Sequence, residues 1–190
     1  MSETTPLAAF KDRLRRFANG QRGIRNPFVI VPVAPHCERL TVRALAEWAE
    51  APGELPDSAT IQLIRLNEVM VATDVYQLMI DLGARLDPET VETTMQETLA
   101  EEMVEIIVER LEAPDRQSHV VLLFHLGSLY PFARSSELLD ELDRRNVKST
   151  VGVPFPGNIV GGKLSFFGEE SRAYYPAHRI EERIERSHLT

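Results

Sequence analysis

The tightest constraint on this chain is the stretch 120–126, an apolar run carrying a single His, which passes directly into Gly127-Ser128-Leu129-Tyr130-Pro131-Phe132-Ala133-Arg134-Ser135-Ser136. A strand that is apolar at nearly every position has no face suited to water. Both sides must therefore be covered, which is the condition of a strand inside a parallel α/β sheet. Gly and Ser at the end of such a strand, leading into a helix, are how these sheets place functional groups at their carboxyl edge. A site, if the fold has one, is expected there.

The remaining periodicity agrees with that architecture. Leu7, Phe10, Leu14 and Phe17 recur at helical spacing while Lys11, Arg13, Arg15 and Arg16 mostly take the opposite face, and Gly20 and Gly23 end the element. Residues 28–33, 60–66 and 150–155 read as strands, the first interrupted by Pro32. Residues 40–48, 68–80 and 137–142 read as helices, the second ended by Gly83. Pro52, Gly53 and Pro56 mark a loop. The longest helix starts at Asp87, an N-cap, with Pro88 in the first helical position, where its missing donor costs no hydrogen bond. Val91, Met95, Leu99, Met103, Ile106, Ile107 and Leu111 form its apolar stripe. Opposite lie Glu92, Glu97, Glu101, Glu102, Glu105 and Glu109, a solvated face that could attract a basic partner. Short extended segments are expected at 163–167 and 173–175, joined by Gly168, and a frayed helix or tail at 180–189.

Strands separated by helix-length segments predict an α/β fold, with a mainly parallel or mixed sheet and helices on both faces. A chain of 190 residues, 43% hydrophobic, is long enough for one well-buried domain and too short for two ordinary ones. The expected division is a basic amphipathic helix and linker over 1–26, the α/β domain over 27–180, and a charged tail over 181–190. A net charge of −8 disfavours general attraction to nucleic acid or anionic lipid. The first 26 residues run the other way, so Lys11, Arg13, Arg15 and Arg16 are where contact with DNA phosphates, or with an acidic protein surface, would be made. One cysteine permits no internal disulfide, and the polar N-terminus and lack of a long apolar run predict a cytoplasmic protein without a membrane span.

Two near-motifs bear on chemistry. His36-Cys37-Glu38-Arg39-Leu40-Thr41-Val42-Arg43 has the spacing of a cysteine-dependent phosphatase. There a thiolate attacks phosphorus, loop amides hold the equatorial oxygens and an Arg fork grips two of them. Cys37 and Arg43 would carry that alternative, with Asp57 or Asp87 as general acid. Leu40 stands where the tight turn needs Gly, however, and Ala44 where a hydroxyl should follow the Arg. Gly157 to Lys163 has P-loop spacing, but Leu164 replaces Ser or Thr and the next residues read as strand, so a Gly-rich hairpin or connecting loop is the better reading. His119 and His125 are expected to pack or hydrogen-bond near the core. No grouping has zinc-site spacing, and neither a metal nor a cofactor is expected.

The last third of the chain resembles the BrxB-like family of BREX bacteriophage-defence systems. The resemblance rests on Gly127 through Ser135, Leu138-Leu139, Phe155-Pro156-Gly157, Leu164-Ser165-Phe166-Phe167-Gly168, Tyr174-Tyr175 and Ile180, in consistent order. The sequence departs from the family at Pro176, where an Arg is usual, and at His178, where an aromatic is usual. The resemblance implies a non-enzymatic assembly or regulatory subunit of a system with a large ATPase, an adenine-specific DNA methyltransferase and an alkaline-phosphatase-fold protein, PglZ. PglZ is the first partner it suggests, and it carries over no catalytic residues. Tyr130, Phe132, Arg134, Phe166, Phe167, Tyr174 and Tyr175 are the expected contact residues, since aromatics flanked by Arg anchor protein interfaces. Most of the aromatics in this third, a set that also includes Phe155, are expected in the core, leaving a few for a partner surface.

Overall fold

The computed structural model describes residues 4–21, 24–53, 55–56, 59–160, 163–166, 169–170 and 177–189. Its centre is a five-stranded sheet in the order β2-β3-β4-β1-β8, in which every neighbouring pair is parallel. The strands are β1 (Phe28–Val33), β2 (Thr60–Arg65), β3 (His119–Phe124), β4 (Thr150–Pro156) and β8 (His178–Arg179). β1, β3 and β4 are buried at every position, as a strand covered on both faces must be. A separate antiparallel sheet of β5 (Asn158–Val160), β6 (Lys163–Phe166) and β7 (Glu169–Glu170) follows β4.

Alternation along the strands divides the core in two. Val29, Val31, Val33, Val120, Leu122 and Phe124 point to the face covered by α1 (Pro6–Ala18) and α2 (Glu38–Glu50). Phe28, Ile30, Ile64, Val121, Leu123, Val151 and Val153 point to the other. There they meet α3 (Leu66–Val71), α4 (Asp74–Leu82), α5 (Pro88–Arg110) and α6 (Ser135–Arg144). The expected amphipathic first helix is thus a layer of the core, with Phe10 and Leu14 fully buried. It lies so close to the sheet that a Cβ on Gly152 would meet Leu122 Cδ2 at 2.7 Å and Leu14 and Phe10 at 3.0 Å.

Side-chain caps set several of the helix starts. Thr5 accepts from the Ala8 amide and Asp87 from the Thr90 amide at 2.9 Å, so both prolines stand at helix starts. The Thr90 hydroxyl and, after it, the Thr90 amide donate to the Asp87 carboxylate and hold its pKa below the usual range. The single helix expected over 68–80 is divided in two. Thr73 Oγ1 donates to the Met70 carbonyl at 2.7 Å and accepts from the Tyr76 amide at 3.3 Å, closing α3 and capping α4. The Val75 amide is satisfied from α5 by Glu102 at 2.9 Å, which removes Glu102 from the solvated acidic row. Gly83 opens a 3-10 turn, Gly83–Arg85, after α4.

The segment after β8 does not form the expected frayed helix or tail. Ile184 is fully buried and bridges Val33, its amide donating to Pro32 O at 2.8 Å and its carbonyl accepting from Ala34 N at 3.0 Å. Burial of Ile180 and Ile184 against the apolar β1 edge outweighs the local charge of this stretch. Gly23, Gly168 and the extended segment 173–175 lie outside the described residues.

Candidate functional site

The carboxyl edge of the sheet gathers the ends of β1, β3 and β4. β1 runs through Ala34 into a single 3-10 turn, Pro35–Cys37, and then directly into α2. The Cys37 amide donates to Ala34 O at 2.7 Å, and Thr41 Oγ1 donates to Cys37 O at 3.0 Å. β3 ends at Phe124, one residue short of the expected His125 and two short of Leu126, because His125 adopts a left-handed conformation, φ +62°. Ser128 fixes this corner, its hydroxyl and amide both donating to His125 O, at 2.7 and 3.0 Å.

The two corners meet at one side-chain contact. His125 Nδ1 stands 3.7 Å from Glu38 Oε1, an oxygen sealed from solvent and without a hydrogen-bond partner among the described residues. Glu38 is the first residue of α2, where the helix dipole favours a carboxylate. Sequence reasoning missed this pair, since two residues that follow different strands give no shared spacing signal. His125 is only half-buried, whereas His119 sits in the core as expected, Nδ1 against Ser149 Oγ at 3.1 Å. Burial pushes the His119 pKa down.

The phosphatase constellation is not assembled. Cys37 is fully buried in the core beneath α2, and the residues that would form the phosphate loop are turns of that helix, their amides facing along its axis. Arg43 points away, exposed, with Nε 2.8 Å from Glu47 Oε1. Leu40 in place of Gly is the local reason: it continues a helix where a loop must turn. Asp87 is spent capping α5, and Asp57 lies outside the described residues. At the second near-motif, Val160 pairs with Lys163 across an antiparallel hairpin, so Lys163 belongs to a strand and not to a helix start. Gly157 is required where it stands, because a Cβ would meet Ser165 O at 2.4 Å. Asn158 beside it contacts Arg183, which also pairs with Glu185. Among the described residues no group of three His, Cys, Asp or Glu side chains could hold a metal ion.

Beyond the His125 corner a 3-10 turn, Leu126–Leu129, leads through a cis Tyr130-Pro131 bond to α6. The Phe132 and Ala133 amides both donate to Leu129 O at 2.8 Å, and the Arg134 amide donates to Glu137 Oε2 at 3.0 Å. This backbone leaves Tyr130 41% exposed and Arg134 exposed, with Phe132 half-buried between them against the core. Phe155 is buried. Phe166 lies in β6, while Phe167, Tyr174 and Tyr175 fall outside the described residues, as does Pro176.

The basic face of α1 is engaged internally. Lys11 Nζ and the Arg15 guanidinium each lie 5.7 Å from the Trp48 ring, Arg13 lies 6.0 Å from Phe17, and Arg16 pairs with Asp12 at 2.9 Å. Burial, then the neighbouring Arg15 charge, push the Lys11 pKa down. On the opposite side a shallow groove of about 200 Å³ between α5 and α6 is lined by Glu97, Glu101, Glu137, Asp140, Glu141 and Arg144, and burial raises the Asp140 pKa. No helix among the described residues is long and apolar enough to cross a membrane.

No curated protein and no solved structure matches the chain. A family model described as BREX protein BrxB matches residues 59–180, more than half of the chain. The match begins at the strand β2 and so extends the C-terminal resemblance back through α3, α4 and α5, while α1, β1 and α2, with Cys37 and Arg43, lie outside it. The chain therefore belongs to the BrxB family of BREX proteins.

Proposed function

We propose that this chain is a non-enzymatic assembly or regulatory subunit that docks a PglZ-like protein within a BREX complex. Membership of the family makes it a component of a BREX phage-defence system, with other BREX components as its partners. The observation that supports docking is the platform after β3. Tyr130, 41% exposed, and the exposed Arg134 flank in sequence a half-buried Phe132 packed against the core, on a turn fixed by its own backbone hydrogen bonds. A Tyr ring loses little entropy when it orders against a partner, and an Arg fork brings several donors in fixed geometry, which is why both are enriched among interface anchors. Phe166, Phe167, Tyr174 and Tyr175 extend the proposed surface on sequence grounds. Lys11, Arg13, Arg15 and Arg16 have neighbours within the chain in Trp48, Phe17 and Asp12, and this reading places no DNA contact on them.

The test is co-purification with the neighbouring gene products and titration with a PglZ-like protein. A complex at micromolar concentration is expected. Tyr130→Ala combined with Arg134→Ala should weaken it at least about thirtyfold, the effect of losing about 2 kcal/mol at an interface anchor. The absence of a complex with any neighbouring gene product at that concentration would overturn the proposal.

A further inference from the structure

The two edges of the main sheet are finished differently. At one edge β8 is only two residues long and is continued by the Ile184 bridge to Val33, the short, interrupted border that natural sheets use to avoid pairing. At the other, β2 holds full register with β3 from Thr60 to Arg65, without bulge, Pro or Lys. It is the one long strand of the sheet that is not fully buried: Leu63 is 38% exposed and Ile61 half-buried. Among the described residues nothing hydrogen-bonds to its outer backbone.

We propose that β2 is the seam at which two copies of this chain join, antiparallel across a two-fold axis at Gln62, into one continuous sheet. An open row of amides and carbonyls is satisfied by another strand, and only antiparallel pairing of identical strands closes on itself. Side-chain chemistry fixes the register. With Gln62 opposite its own copy, Ile61 faces Leu63 of the second copy on the α2 side, and Thr60 faces Ile64 on the α5 side. The strand's one charge, Arg65, then faces Ala59, while its guanidinium is held by Glu68 at 3.5 Å, so no like charges oppose each other. Centring on Leu63 would set Arg65 against Ile61, and centring on Ile61 would leave Leu63 opposite Ala59. Gln62 is itself immobilised, its amide donating to Arg110 O at 2.7 Å and its carbonyl accepting from the Glu112 amide at 3.2 Å. The edge is therefore held rigid by the end of α5 before any partner arrives.

Light scattering on the purified full-length chain tests this. Wild type at tens of micromolar should show twice the 21.5 kDa chain mass, and hydrogen exchange should show β2 amides protected at high concentration and released on dilution. Leu63→Lys places a charge opposite Ile61 at a position already partly in water. It should weaken self-association by about tenfold or more while the circular dichroism spectrum is kept. Thr60→Lys, at an exposed position of the same strand, provides a second variant should the first fail to fold. A monomeric wild type, a dimer indifferent to both lysines, or β2 protection that appears only when another protein is added would each overturn the proposal.

Discussion

Replacing Gly152 with alanine should destabilise the fold by about 1–3 kcal/mol, although alanine is ordinarily the better strand residue. The added Cβ would stand 2.7 Å from Leu122 Cδ2 and 3.0 Å from both Leu14 Cδ1 and Phe10 Cζ. Ordinary carbon contacts need about 3.5–4.0 Å, so α1 must rise from the sheet or Leu122 must leave its rotamer. All three neighbours are fully buried, which leaves no empty space to yield into. In a chain of this size each kcal/mol lowers Tm by about 2–4 °C, so the expected fall is about 2–12 °C. Trp48 is the only tryptophan and lies under Lys11 and Arg15 of α1, so its fluorescence during urea unfolding reads α1 docking directly. Phe10→Leu in the alanine background should recover part of the loss, giving a coupling of about 0.5–3 kcal/mol between the two sites. If Gly152→Ala lies within about 0.5 kcal/mol of wild type and adds simply to Phe10→Leu, the claim that α1 rests on a bare backbone at this point is wrong.

Acidification should weaken the fold through the buried imidazole of His119 and, to a smaller extent, through the exposed one of His178. Burial lowers His119 below its ordinary 6.5, and burial followed by Arg13 lowers His178. Both contribute full stability above about pH 6.5 and lose it as the pH falls from there towards the lowered folded values, because the unfolded chain takes up protons first. Urea unfolding at about pH 7.5 and about pH 5.5 should show the decline, and His119→Leu should flatten it; parallel curves would exclude His119 as a source. Lys11→Ala or Arg15→Ala should each cost about 0.5–2 kcal/mol and shift Trp48 emission to longer wavelength, and an unmoved spectrum would show that neither cation covers the ring. Wild type and Cys37→Ser should be equally inactive on an aryl phosphate, since the would-be phosphate loop is wound into α2; turnover that depends on Cys37 would refute that reading.

Hydropathy periodicity carried the layer plan. The runs at 28–33, 120–126 and 150–155 have no polar face, so the sequence alone required a sheet covered on both sides. Asp87-Pro88 marked the start of α5 because capping is a local matter of one side chain and three amides. The family resemblance was legible in the order of short C-terminal blocks around Tyr130, Phe132 and Arg134. The Cys37 motif failed for a reason already visible at Leu40, which extends a helix where Gly would have turned a loop.

What lay outside the sequence was every feature made by residues far apart in the chain. His125 and Glu38 meet only because β3 and β1 end on the same edge with β4 between them. Glu102 reads as one of a solvated row until α4 brings it a free amide, and the charged stretch around Ile184 reads as a tail until β1 offers it an apolar edge. Local propensity is set by neighbours within a few residues, whereas these contacts depend on strand order, which no spacing encodes. The sequence therefore determined which elements form and which faces they bury. The tertiary structure decided which side chains are used up in holding them, and so which remain to meet another molecule.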